Sequence, residues 1–335
     1  MKVQKKMVML LVLLLIGLSF VYAAGQEETV GGESKISFNF GHVMPIEHPE
    51  HKAAQKMQEL IANSSKGRIS MNVFPSTQLG GDREMMTSLM NNTLEMACVA
   101  TFGSIESKIS VVEMPYLFED YEHIMEFIKS DVQKELLVLL ESHGVKGLGY
   151  YPAGARHIGN DVKPVKNPSD LKNLLIRVYE HALLKDTLTA LGAKLTVTPY
   201  SEVYMALATN QIDGEENPFV NTYAMKFHEQ QKYKTETHHM DQFKIVGTSK
   251  KWWDGLTSSD QELIQNAFYE AYTNYYIGLM ENSNEEYKKL LEAEGVEITE
   301  IADYSPWRIA VEPVYEKWSK IFGPDLIRQI EELAK

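Results

Sequence analysis

Arg177 stands in Leu174-Leu175-Ile176-Arg177-Val178, a run whose other side chains are all apolar. The run follows Asn167-Pro168-Ser169-Asp170, a turn signal, and reads as a buried strand. A guanidinium cannot shed its proton to escape burial, so Arg177 needs an anion. Two sources are open: a carboxylate elsewhere in the chain, forming a structural ion pair, or a ligand carboxylate gripped by both arms of the planar fork.

Other candidates are spread along the chain. Arg156 lies in Tyr151-Pro152-Ala153-Gly154-Ala155-Arg156-His157, where proline and glycine bracket a short crossover. Asn217 ends Asp213-Gly214-Glu215-Glu216-Asn217-Pro218; the proline holds it extended, and its amide can both donate and accept. Glu84 opens a helix after Gly80-Gly81-Asp82, either as an acceptor for ligand hydroxyls or as a carboxylate favoured by the helix dipole. His42 follows the first strand, where α/β domains place ligands, although a surface-loop histidine fits equally well. Tyr179 and Tyr200 either wall a cleft or pack in the core.

The elements that must position these groups alternate. Ile36–Phe40 is a strand, residues 53–61 carry apolar side chains at helical spacing, and Ile69–Phe74 is a second strand: a β-α-β opening. Further strands are expected at 95–100, 145–150, 174–178 and 194–198, with a short one bearing Asn217. Ser201 is expected to cap a helix through Val203, Ala206 and Leu207. From Ser259, as N-cap, to about Glu294 there is no proline, and Gly278 is the only weak point. One helix of that length would reach roughly 54 Å and span two domains; the alternative is two helices broken near Glu281-Asn282-Ser283-Asn284.

The chain's ends and bulk composition narrow the class. Lys2, Lys5 and Lys6 precede an apolar run from Met7 to Val21 and a small-residue site ending at Ala23. This is the pattern of a cleaved secretory signal peptide over residues 1–23, and residues 24–34 read as a flexible leader. The formal net charge is −13, and losing those three lysines makes the remainder more acidic, which argues against a nucleic-acid partner. The single cysteine, Cys98, excludes an intrachain disulfide and reads as a small core residue.

Two rival chemistries have partial support. His42, His48, His51, His238 and His239 could serve a metal receptor, but no HExxH or CxxC spacing is present. A secreted enzyme acting on a sugar acid would need a carboxylate pair. Glu215 and Glu216, as neighbours in a strand, point to opposite faces and cannot flank one bond; an arginine partner or a solvated face suits them better.

Four segments in order resemble one family. They are Gln78-Leu79-Gly80-Gly81-Asp82-Arg83-Glu84, Met114-Pro115-Tyr116-Leu117-Phe118, Pro168 through Val178, and Ser201 through Pro218. Together they resemble the extracytoplasmic solute receptors of TRAP (tripartite ATP-independent periplasmic) transporters. Asn173 stands where that family commonly has glycine, and Asn210-Gln211 likewise departs from a glycine-bearing stretch. The resemblance implies an α/β two-domain periplasmic-binding-protein-like fold, with a ligand cleft between domains and a long helix across both. The expected domains are discontinuous: 35–153 with 243–282, and 154–242 with 283–335. It implies that Arg177 forms the principal salt bridge to a substrate carboxylate, that Arg156 assists, and that Asn217 hydrogen-bonds the ligand. Glu84 and His42 would suit a hydroxylated sugar acid better than a bare C4-dicarboxylate. The implied partners are that small acid and a membrane permease driven by an ion gradient. No cofactor, metal or catalytic step is expected, and the receptor is expected to be a monomer.

Overall fold

A computed structural model describes residues 29–30 and 33–334. The expected signal peptide lies outside the described residues. Within the expected leader, Thr29–Val30 pairs antiparallel with Glu33–Ser34. The rest of the expected flexible leader, residues 24–34, apart from 29–30 and 33–34, lies outside the described residues.

The main sheet has nine strands: β1 (Ile36–Gly41), β2 (Ile69–Phe74), β3 (Met96–Val99), β4 (Val145–Asn160), β5 (Leu175–Val178), β6 (Lys194–Val197), β7 (Gly214–Asn217), β8 (Tyr233–Ser249) and β9 (Glu297–Thr299). Their order is β2-β1-β3-β8-β4-β7-β5-β6, with β9 beside the start of β8. The β-α-β opening forms as expected: β1 and β2 are parallel neighbours joined by the helix Pro49–Ser64. β5 lies parallel to both β6 and β7, with Arg177 opposite Glu215.

Two long antiparallel strands hold the halves of this sheet together. β8 carries β3 along Ile245–Thr248, and β4 carries β7 along His157–Asn160. β8 and β4 pair with each other over nearly their full length, with register shifts at 235/240, 242/243 and 246/247. The sequence expectation covered only the apolar start of β4 and missed β8. The reason is chemical: Lys234, His239, Asp241, Gln242 and Lys244 all lie on β8 and are buried, so polar residues occupy positions where periodicity arguments look for apolar ones.

The late helical segment departs from a single uninterrupted rod. Thr257 caps it, its hydroxyl accepting from the Asp260 amide at 3.2 Å, so the start lies two residues before Ser259. The run proceeds as Ser258–Phe268, a π-helical stretch Tyr269–Tyr275, then Tyr276–Met280. Glu281 and Asn282 form a turn before Ser283–Ala293. The first part packs on β1, β3 and the helix Pro49–Ser64 through Ile264, Phe268, Tyr272 and Tyr276. The second packs with Phe219 and Val296 through Leu291. The helical path therefore reaches both halves of the sheet, with its break at the point given by the two-helix reading. The C-terminal helices tie further elements together: Trp307, Val314, Trp318 and Ile330 share one core with Phe127, Leu136, Leu183 and Leu188. Among the described residues no helix is long and apolar enough to cross a membrane.

Asn173 and Asn210, the two departures from glycine, both sit at positive φ (74° and 52°). Asparagine is the residue after glycine that best tolerates this region, so the turns keep their shape.

Candidate functional site

A cavity of about 510 Å³ opens where β5, β6 and β7 face the loops after β1 and β3, with β8 as its floor. Arg177, Arg156, Asn217 and Glu84 all line it, although they are far apart in sequence. Tyr179 and Tyr200 line it too, each beneath a guanidinium: Arg156 lies 5.1 Å from the Tyr179 ring centroid and Arg177 5.5 Å from that of Tyr200.

The two arginines differ in their partners. The Arg156 side chain, 1 % exposed, is held by Glu216: Nη2 donates to Oε1 at 2.6 Å, Nε to Oε2, and Nη2 also to the Glu216 carbonyl at 2.5 Å. Burial alone would raise the Glu216 pKa, but Arg156 outweighs it and holds the carboxyl at about 2. Arg177 is equally buried, yet its only hydrogen bond among the described residues is from Nε to the Thr198 carbonyl at 2.9 Å. No described carboxylate lies within 4.0 Å of it. Burial lowers its pKa and Arg156 adds to that, against an opposing pull from Glu216. Of the two sources open for its anion, the described part of the chain supplies none in contact.

Asn217 is bonded on both sides of its amide. Oδ1 accepts from Arg156 and from Asn221 Nδ2, each at 3.4 Å, and Nδ2 donates to Glu215. Glu215 in turn pairs with Lys234 at 3.1 Å. The adjacent glutamates therefore serve two separate cations, as their alternation in the strand requires. Pro218 closes β7 as expected, but Ser201 does not cap the helix Val203–Ala208. A 3₁₀ turn, Tyr200–Glu202, precedes that helix, and its N-terminus has no side-chain cap.

Glu84 sits in the first turn of the helix Asp82–Met90, exposed at the cavity rim. Gly80 and Gly81 make room for it: a Cβ on Gly80 would lie 2.7 Å from Glu84 Cβ, and Gly80 has φ +97°. Asp82, two residues before, donates structure to the opposite wall: its Oδ1 accepts the Ala100 amide at 2.9 Å. Burial raises its pKa.

His42 is not a cavity residue, which corrects the expectation placed on it. Its ring is fully buried, Nε2 against His51 Nδ1 at 3.0 Å and Nδ1 3.8 Å from Glu50. The helix Pro49–Ser64 packs on β1 and closes over that ring. Burial pushes the pKa of both His42 and His48 down to about 4. His48 bonds Asn221 at 3.0 Å, joining the helix N-terminus to the wall that carries Asn217. Glu50, at the centre, accepts from Lys244 Nζ at 2.6 Å and from Tyr151 OH at 2.9 Å. Among the described residues no group of three or more His, Cys, Asp or Glu is arranged to hold a metal ion. Cys98 is buried, its sulfur 3.3 Å from Tyr272 OH, and burial pushes its pKa up.

Sequence reasoning missed Lys244, Gln242, Thr101 and Asn221, all of which line the cavity. Gln242 and Lys244 carried a signal: polar residues two apart beside Phe243 and Ile245, the alternation of a strand with one polar face.

Comparison with known proteins shows the family and the fold. The family model described as bacterial extracellular solute-binding protein, family 7, matches residues 40–321. The C4-dicarboxylate-binding protein DctB of Bacillus subtilis is 30% identical over 94% of this chain and 90% of its own length. The sugar acid binding protein DctPAm of Advenella mimigardefordensis, solved with galactonate, superposes with a TM-score of 0.86 at 25% identity, covering 90% of this chain and 98% of that one. A TRAP periplasmic solute binding protein from a Bradyrhizobium species, solved with galacturonate, gives 0.85 at 29% identity, covering 88% and 99%.

Proposed function

Because the chain belongs to the bacterial extracellular solute-binding proteins of family 7, we propose that it captures a small organic acid outside the cytoplasmic membrane and delivers it to a TRAP-type permease. The observation that carries this reading is Arg177: a buried guanidinium lining a cavity, with no carboxylate of the described chain in contact. A ligand carboxylate supplies the missing charge, and the fork's two Nη groups can hold it bidentately. The relatives' ligands frame the class: C4-dicarboxylates for DctB, sugar acids for the two solved structures.

Arg156 and Asn217 hold their places through Glu216, Glu215 and Asn221, so they meet the ligand as a preset polar wall. The lobes that close on it are residues 35–153 with 243–282, and 154–242 with 283–335. Closure removes water and strengthens the ion pair, and the ligand favours the closed form by its differential affinity. No bond in the ligand is made or broken. The receptor acts as a monomer after export and removal of residues 1–23.

The test is a thermal-shift screen of the purified protein against uronates, aldonates, sialic acid and C4-dicarboxylates. A ligand at a hundredfold its Kd adds about 2.7 kcal/mol to stability and raises the melting temperature by several degrees. A flat response to every acid in the panel overturns the reading.

A further inference from the structure

A second cavity, of about 220 Å³, borders the same strands as the first. Successive residues divide between the two: Arg156 and Asn217 line the first, Ala155 and Pro218 the second, and Gln242 borders both. Ala155 and Asp241 are paired in register and both line the second cavity, so they share a face of the sheet. Alternation along β4 turns Arg156 to the other face.

Three local irregularities leave this space open. On β4, Gln242 is opposite Gly154 and Phe243 opposite Pro152, so Ala153 is an extra, unpaired residue that bends the strand. Gly154 holds φ +107°, a conformation other residues rarely adopt. The late helical run breaks at Glu281 and Asn282, between Met280 and Ser283, and all but Asn282 line the cavity. The helix Tyr121–Lys129 closes the space with Tyr121 and Ile124.

The walls are apolar and the charge is negative. Phe118, Phe219 and Met280 are buried in the fold yet line the cavity, and Tyr121 stands half-exposed beside them. Three carboxylates line it, Asp120, Asp241 and Glu281, and among the lining residues there is no lysine or arginine. Asp241 is already matched: His238 Nε2 lies 3.0 Å from its Oδ1. The other two are not. Asp120 Oδ1 accepts the His123 amide at 2.9 Å, capping its helix, but Oδ2 has no hydrogen bond among the described residues. The Glu281 carboxylate has no hydrogen bond or ion pair among them either. An anion would be repelled here, and a neutral apolar molecule would leave the carboxylates unused. An ammonium suits both the carboxylates and the Tyr121 ring. Cavities of about 150 Å³ admit benzene, so this one has room for a ring and a short chain.

We propose that this cavity is a second ligand site, separate from the one that holds Arg177, and that it takes a small amine on an apolar body, with the ammonium at Glu281, Asp120 and Tyr121 and the body against Phe118, Phe219 and Met280. This goes beyond the solute-receptor reading and does not depend on it.

Titration calorimetry with 2-phenylethylamine and its uncharged counterpart 2-phenylethanol, on the wild type, Glu281→Gln and Tyr121→Ala, tests it. The wild type should bind one equivalent of the amine, about tenfold or more tightly than the alcohol. Glu281→Gln should weaken the amine by about fivefold and leave the alcohol unchanged. Tyr121→Ala should weaken the amine by a similar factor. Both substituted side chains are exposed, and circular dichroism and melting without ligand will confirm that each variant folds. Equal binding of alcohol and amine overturns the charge assignment. Wild-type amine affinity in both variants overturns the location. No amine binding at millimolar concentration overturns the site itself, while the acid screen proposed above remains a separate test of the receptor reading.

Discussion

Arg156 and Glu216, on adjacent strands, bind each other through two side-chain contacts, while Arg177, the other buried guanidinium lining the cavity, has no described carboxylate in contact. Both Glu216 and Arg156 are almost wholly buried. A buried pair of this kind is costly to break because the remaining charge has nowhere to go. Glu216→Gln should therefore destabilise the unliganded protein by about 3–5 kcal/mol. Urea unfolding measures this directly, and a loss under about 1 kcal/mol would contradict the pairing described here.

Arg177 should behave in the opposite way. Arg177→Met removes a buried cation with no carboxylate in contact, so stability without ligand should hold or rise. Ligand affinity should fall by about 2–5 kcal/mol, the cost of truncating one side of a buried charge-assisted contact. Calorimetry and thermal melting on the same preparation separate the two effects. Near-native affinity would remove Arg177 from the site.

Acid should weaken the fold in two stages. The folded pKa of His42 and His48 is about 4, below the ordinary 6.5, so the unfolded state binds more protons between those values and stability falls as pH drops through that window. Glu50 and Glu216 sit at about 2 against 4.5; their stabilisation is complete above 4.5 and is lost as pH falls toward 2. In His48→Gln the fall between pH 6.5 and 4 should be shallower than in the wild type, by up to about 3 kcal/mol over the window. Identical pH–stability curves would show that His48 does not carry this effect.

Gly278 lies inside Tyr276–Met280, and a Cβ there would meet nothing within 4 Å. Gly278→Ala should stabilise the protein by about 0.5–1 kcal/mol through helix propensity, with ligand affinity unchanged. Destabilisation would mean that the turn at Glu281–Asn282 depends on the flexibility of that glycine.

Much of the site was legible one segment at a time. Arg177 stood out as a charge in an apolar strand, Asn217 as an amide before proline, and the glycines before Glu84 as a turn. Asn173 and Asn210 could be read as turn residues because each can adopt positive φ. The histidine was misplaced for a related reason: its position after β1 was right, but the helix Pro49–Ser64 folds over it and turns the ring into the core. The long helix was seen as a proline-free run, whereas its π-helical stretch and its break depend on how Tyr272, Tyr276 and Leu291 pack.

Local chemistry alone determined the α/β alternation, the acidic character of the chain and the presence of an arginine that must find an anion. Those properties follow from side-chain type and short-range periodicity. Tertiary structure decided which buried cations meet a carboxylate, because Arg156 reaches Glu216 across 60 residues and Lys244 reaches Glu50 across 194. It also decided that Gln242 borders both cavities, beside a bulge on a partner strand. Charge pairing and strand register are relations between distant segments, and only the packed sheet brings those segments within a few ångströms of each other.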